Sequence, residues 1–370
     1  MKNISGVKVR LAAVALLACI CYSPVAAQEK PFLPTVSGVL KTRFETDTEN
    51  GDVRFNVNNA RLGLAGTMVK ADKTDVKYTF QAELNAEGKL YLLDCYVTLR
   101  YGQFEMSVGQ QLCRFGTELS RGPKLNYFAN SSFVSGYVGS YYDYYDGSVR
   151  NGNFGARDIG VLLKYNNNTS VPIKAQIGLM NGSGMNNPAW RDRVNVVARL
   201  WLDENTALGG FGTALNYYTG TTPFGERITM AGGELKYHAG ELIVEGEYAN
   251  RWLEVTEDET DSMGLAALQA IYRIPVKGWG PIKFIAPTAR WDYGHNMSIV
   301  TESAVNGKEV THFNVQRATG GVTLGFVPQL LKCELRLNYE HYFFEGGKPA
   351  ALASNPTFQN KFMVEFFLVF

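Results

Sequence analysis

Histidine and cysteine, the residues best suited to acid–base, nucleophilic or metal chemistry, are few in this 370-residue chain. The histidines are His238, His295, His312 and His341. None of them belongs to a His-Glu or Gly-x-Ser-x-Gly motif, and isolated histidines are mostly structural. Beyond the first 27 residues the cysteines are Cys95, Cys113 and Cys333, too few and too widely spaced for a disulfide framework or a zinc set. We therefore expect no catalytic residue, no metal and no cofactor.

Basic side chains are the second group that could act chemically, because arginine and lysine attract anions. The predicted strands described below carry Arg43, Arg61, Lys77, Arg100 and Arg157, and a long connection carries Arg114, Arg121 and Lys124. Acidic residues occur at comparable alternate positions. Two interpretations therefore stay open: a hydrated interior laced with ion pairs, or a basic stripe that guides anions.

Strands are needed to place these side chains on one wall, and alternation with period two predicts them. In "DVKYTFQAELNA", Val76, Tyr78, Phe80, Ala82, Leu84 and Ala86 fall on one face and polar residues on the other. The sequence contains sixteen such candidates. They lie near 35–45, 53–69, 74–86, 90–101, 103–113, 156–165, 172–181, 192–203, 206–219, 227–239, 241–253, 262–274, 282–294, 312–326, 332–344 and 360–370.

The lengths of the connections separate a membrane barrel from a soluble sandwich. Connections after the even-numbered candidates are short, whereas those after candidates 5, 7, 13 and 15 are long. Antiparallel strands place alternate connections at opposite ends, so this sorting is typical of an outer-membrane barrel. Tyr and Trp at strand ends, such as Tyr101, Trp201 and Tyr272, would form interfacial girdles. The predicted fold is all-β: a 16-stranded antiparallel transmembrane β-barrel with short periplasmic turns and long extracellular loops.

The last strand carries its own signal. In "NKFMVEFFLVF" the apolar residues Phe366, Leu368 and Phe370 alternate up to the final position. In a closed barrel this strand pairs with the first, and no edge remains exposed. The ending resembles the C-terminal tag of known outer-membrane proteins, which implies recognition by the barrel-assembly machinery.

The N-terminus predicts export. Lys2, Lys8 and Arg10 precede a short apolar run, and Val25 to Ala27 provide small residues for cleavage. We expect residues 1–27 to be a cleaved signal peptide and residues 28–370 to form a single barrel domain. Removing three basic residues changes the formal net charge from +1 to −2, and neither value favours nucleic-acid binding.

The longest connection, residues 114–155, has two candidate roles, because loops of this length are usually functional. It could fold into the barrel as a constriction, where Arg114, Arg121 and Lys124 would charge the pore. It could instead stay outside, where the tyrosines of "GSYYDYYDG" would form an aromatic surface. The inward-folded constriction is the favoured prediction.

Several motifs resemble the phosphate-selective porin O and P family. They are "FNVNNARLGLAGTM", "VKYTFQAEL", "KLYLLDCYV", "FEMSVGQQLCRFG", "RDIGVLLKY" and "IGLMNGSGMNN", over about residues 53–187. The resemblance implies a sixteen-stranded porin of the bacterial outer membrane, commonly a homotrimer, that passes small anions, with phosphate as one candidate. Outer-membrane lipid and lipopolysaccharide would surround it. The alternatives are a non-channel barrel acting as adhesin or anchor and, less favoured, a barrel hydrolase.

Overall fold

The computed structural model describes residues 33–84, 88–122, 125–138, 157–167, 172–204, 208–222, 225–254, 260–303, 307–353 and 355–370. The predicted signal peptide, Lys124 and residues 139–155 of the long connection therefore lie outside the described residues. Within these ranges the chain forms one closed antiparallel barrel, as the alternation predicts.

Sixteen strands form the wall in the described part of the chain. They are β1 (Thr35–Asp47), β2 (Val53–Lys70), β3 (Thr74–Leu84), β4 (Leu90–Tyr101), β5 (Phe104–Leu112), β6 (Arg157–Asn166), β7 (Ile173–Met180), β8 (Asn195–Leu202), β9 (Phe211–Thr221), β10 (Arg227–Ala239), β11 (Leu242–Glu254), β12 (Thr260–Tyr272, continued by Ile274–Pro275), β13 (Phe284–Ser303), β14 (Gly307–Gly325), β15 (Cys333–Phe344) and β16 (Lys361–Val369). Each strand pairs with its neighbours in sequence, and β16 pairs with β1 to close the barrel.

Alternation along β16 shows which face meets the membrane. Phe362 and Phe366 are exposed on the outside, whereas Met363, Glu365 and Phe367 are completely buried inside. The same outward face carries Leu235 on β10, which is 70% exposed. An apolar belt of this extent is unfavourable in water and suits a lipid surface.

The barrel closes through the final residue. Gly38 of β1 and Phe370 exchange two backbone hydrogen bonds, of 2.7 and 3.1 Å. The Phe370 ring lies directly over Gly38, where a Cβ atom would come within 2.2 Å of the ring. Phe366 and Leu368 pair with Thr42 and Leu40 of β1.

The wall differs from the sequence prediction in two places. The long connection expected after strand 13 is instead a tall hairpin, because β13 extends to Ser303 and β14 starts at Gly307. A register shift between Gly294 and Met297 interrupts the alternation there, so the two ends of one strand look unrelated in sequence. Trp201, expected in an outer girdle, faces inward instead, with its ring 5.6 Å from the Arg199 guanidinium.

Helical structure in the described residues is confined to connections. It comprises α1 (Thr117–Arg121), a π-helical turn (Val134–Val138) and 3-10 turns at Ala350–Leu352 and Pro356–Phe358. No helix among the described residues is long and apolar enough to cross a membrane.

Candidate functional site in the barrel lumen

The connection after β5 runs through the barrel interior over residues 113–122 and 125–138, which we call the inner segment. Phe115, Phe128 and Phe133 of this segment are almost fully buried. The segment contacts strands that are remote in sequence, including β11, β13, β14 and β15. It therefore fills part of the lumen.

Two glycines let the inner segment turn sharply at both ends of α1. Gly116 and Gly122 have φ values of 79° and 116°, a region that other residues adopt only with strain. A Cβ atom at Gly116 would also lie 3.0 Å from the Glu247 carboxylate of β11. The glycines thus allow the helix to approach the wall.

Wall carboxylates accept hydrogen bonds from the inner segment. Glu247 accepts from the Thr117 backbone N–H at 2.7 Å and from the Ser132 hydroxyl at 2.9 Å. Asp292 of β13 accepts from the Phe133 N–H at 3.0 Å. A hydrogen bond contributes roughly 0.5–1.5 kcal/mol, so these contacts together hold the segment against this side of the barrel.

Wall arginines complete the attachment by binding carbonyls and aromatic faces. Arg317 of β14 donates to the Ser131 carbonyl at 2.6 Å, and its guanidinium lies 4.7 Å from the Phe133 ring centre. Arg290 of β13 donates to the Asn130 carbonyl at 3.0 Å and lies over the Phe128 ring. The β11–β15 side of the lumen is therefore packed with protein.

Open space remains on the other side of the inner segment, along β2 to β7. A cavity of about 300 Å³ lies there, bordered by wall residues and by the outer side of α1. Five basic and two acidic side chains line it. They are Arg61, Arg114, Arg121, Arg157 and Lys164, with Asp94 and Glu105. The lining is thus predominantly basic.

Three of the predicted site residues point inward but are covered and paired. Arg43 binds Glu365 at 2.7 Å, Arg61 binds Glu83 at 2.9 Å, and Arg157 binds Asp94 at 2.9 Å. The three arginines are buried. Burial of a charge is costly unless an opposite charge accompanies it, so these pairs carry little free positive charge toward the lumen.

The remaining strand residues of the predicted set form ion pairs nearer the short turns. Lys77 and Arg100 share the carboxylate of Asp75, with Lys77 Nζ at 3.9 Å from it. Arg121, at the end of α1, binds Glu245 of β11 and lies 4.2 Å from the Tyr127 ring centre. These cations are also largely neutralised.

Arg114 differs from the other described residues of the predicted set because it is exposed and has no ion-pair partner in the described part of the chain. Its Nη1 donates to the Ser120 carbonyl of the same segment at 3.0 Å. No carboxylate among the described residues lies within ion-pair distance of it. Arg114 therefore presents a free positive charge to the cavity.

Two features escaped the sequence reasoning. Glu118 of α1 is buried and accepts from the Ser132 N–H at 2.8 Å, which ties α1 to the later part of the inner segment. Glu204, His238 and Glu245 meet at the short-turn end of the lumen. For Glu118, the sequence offers only the weak signal of an acidic residue between two glycines. The Glu204, His238 and Glu245 cluster has no sequence signal, because its residues come from three different elements.

No known family model and no curated protein sequence matches the chain. Solved structures do match it across nearly its full length. OmpT of Vibrio cholerae, an outer membrane protein in its trimer form, has a TM-score of 0.61 and 13% identity, covering 92% of this chain and 100% of that chain.

Two further structures have the same architecture. An anion-selective porin from Comamonas acidovorans has a TM-score of 0.59 and 12% identity, covering 92% of this chain and 100% of that chain. OmpF of Salmonella typhi, solved in complex with daunomycin, has a TM-score of 0.58 and 14% identity, covering 91% and 97%. Together with the outward apolar belt, these likenesses establish the fold as that of an integral outer-membrane barrel.

Proposed function

We propose that this protein is an outer-membrane porin, a passive diffusion channel for small hydrophilic solutes that favours anions. One observation carries the proposal: the inner segment is fixed to the β11–β15 side, and the cavity left opposite it holds the free charge of Arg114. A positive charge at a narrow point lowers the cost of anion passage and raises that of cations.

Two likenesses bear on the choice of solute. The motif resemblance favours inorganic phosphate, and the name of the Comamonas acidovorans porin favours anions in general. Because Arg43, Arg61 and Arg157 are neutralised by carboxylates, we expect the channel to discriminate only mildly between one anion and another.

Reversal potentials in planar lipid bilayers under a KCl gradient test the proposal. A unit positive charge about 5 Å from a passing ion contributes roughly 0.8 kcal/mol in water, favourable for an anion and unfavourable for a cation, so the ratio of their permeabilities changes by roughly 16-fold. We expect Arg114→Gln to lower the chloride-to-potassium permeability ratio by about this factor. Arg193→Gln is the matched control, because Arg193 is exposed beside Asp192 in the connection between β7 and β8.

Three outcomes would contradict parts of the proposal. Absence of any conductance would favour the adhesin or anchor alternative, and cation selectivity of the unaltered protein would remove the anion preference. We further propose that the chain has no hydrolase activity, which turnover in a lipase assay on the purified protein would overturn.

The proposal includes assembly as a homotrimer, supported by the trimer form of the Vibrio cholerae neighbour. Native mass spectrometry of protein extracted in mild detergent would report the oligomer directly. The same spectra would reveal bound lipopolysaccharide or phospholipid.

A further inference from the structure

Three potential metal ligands converge at the short-turn end of the lumen. Glu204 follows β8, His238 lies near the end of β10, and Glu245 lies on β11; one ligand atom from each is within 4.8 Å of the others. His238 Nε2 is 3.0 Å from a Glu245 carboxylate oxygen and 4.0 Å from a Glu204 oxygen. Two ligands of a tetrahedral zinc ion at ~2.1 Å lie roughly 3.4 Å apart, between these two separations.

The backbone holds the three residues together. The β10–β11 hairpin turns over two residues, so that Lys236 pairs with Glu245 and His238 with Ile243. Glu204 reaches the cluster because its connection folds back over Gly212, where a Cβ atom would come 2.8 Å from the Glu204 nitrogen. The cluster is thus built by the β10–β11 hairpin and by the connection that follows β8.

A buried amide borders the cluster. Gln269 of β12 is only 5% exposed, and its Nε2 donates to Glu245 at 2.5 Å. Its Oε1 is buried without a hydrogen-bond donor among the described residues. The unpaired amide oxygen of Gln269 is therefore a further polar atom next to the cluster.

Two cations of the protein compete for the same oxygens. Lys236 Nζ lies 3.4 Å from Glu204 and 3.4 Å from Glu234, and Arg121 donates to Glu245. An incoming ion must displace one or both of them. Because Arg121 is the last residue of α1, its release from Glu245 would remove one contact that holds the inner segment to the wall.

We propose that Glu204, His238 and Glu245 bind a divalent first-row transition-metal ion, with Zn²⁺ the best match, in competition with Lys236 and Arg121. One imidazole nitrogen with carboxylate oxygens is a donor set that zinc accepts, and a partly open site leaves a position for water. The site requires the folded barrel and does not depend on conduction or anion preference.

Calorimetric titration of ZnCl₂ into the untagged mature protein in detergent tests the site. We expect one saturable site per chain, weakened at least tenfold by His238→Ala. His341→Ala is the matched control, because His341 lies 4.5 Å from the Phe343 ring, outside the cluster, and should leave the affinity unchanged. Visible absorption with Co²⁺ gives a second readout of histidine ligation.

A variant that is expected to tighten metal binding separates a specific effect from loss of folding, because an unfolded protein would only lose affinity. Lys236→Gln removes a competing charge and should tighten binding by roughly threefold or more, from the Coulomb term in a hydrated lumen. Folding of each variant is checked by its mobility on unheated gels. No saturable binding by the unaltered protein, or equal affinities for it and the His238→Ala variant, would overturn the proposal.

Discussion

Glu365 is the carboxylate through which β16 meets β1 and β15, and its replacement by glutamine tests how the barrel closes. Its Oε2 accepts from Arg43 Nη2 at 2.7 Å and Nε at 3.2 Å, and its Oε1 accepts from Arg336 at 3.1 Å. Lys41 Nζ lies 3.9 Å away. Glu365 is completely buried, so water cannot replace these contacts.

The magnitude follows from what each cation retains in the Glu365→Gln variant. Arg43 keeps Glu45 at 2.7 Å, and Arg336 keeps Glu334 at 2.7 Å, so neither arginine is left without an acid. Breaking a buried ion pair costs roughly 3–5 kcal/mol, and this partial compensation places the expected loss near the low end, about 3 kcal/mol. That loss is roughly a hundredfold in the folding equilibrium constant.

Urea titration of the protein folded into short-chain lipid vesicles, followed by tryptophan fluorescence, measures this loss. Glu49→Gln is the matched control, because Glu49 forms a partly exposed pair with Lys348 at 2.9 Å. Such pairs contribute about 0–1 kcal/mol. If the two variants lost the same stability, the buried carboxylate would not be what joins the strands at closure.

Two other predictions concern the ends of the barrel. Deleting Phe370 removes the residue that exchanges backbone hydrogen bonds with Gly38. We therefore expect a lower yield of folded protein in the outer membrane, with normal conductance in the protein that does assemble. An unchanged yield would contradict the assembly-tag prediction. At the opposite end, burial alone would raise the pKa of Glu49, but the Asn360 N–H and the Lys348 ammonium hold it below its usual value. The stabilisation from ionised Glu49 is therefore present above its unfolded pKa of about 4.3 and is lost as pH falls through its lower folded pKa. Faster hydrogen exchange of residues 345–353 as pH falls through these two values would detect this loss.

Strand positions were predictable from the sequence because the alternating pattern is local. The run from Val76 to Leu84 alternates without interruption, and β3 occupies Thr74–Leu84. Where a register shift breaks the pattern, as between Gly294 and Met297, the prediction was wrong and placed a loop where strands continue. The Asn306-Gly307 dipeptide was a hairpin signal that could have corrected it.

Charge pairing was less accessible from the sequence. Arg43 and Glu365 are separated by 322 positions and pair only because β16 closes on β1. The sequence also did not distinguish Arg114 from Arg121. In the structure Arg121 binds a wall carboxylate, whereas Arg114 binds a carbonyl of its own segment. The Glu204, His238 and Glu245 cluster was likewise not predictable, because it joins a hairpin to the separate connection after β8.

The sequence by itself determined that this chain forms a barrel with an apolar outside and a charged inside, since the two faces of a strand are written in alternate residues. The tertiary structure alone decided which charges cancel, which side of the lumen the inner segment occupies and where a free cation faces the remaining space. The physical reason is that side-chain direction follows from the local backbone. The pairing of charges depends instead on distances between strands, which are set only when the barrel closes.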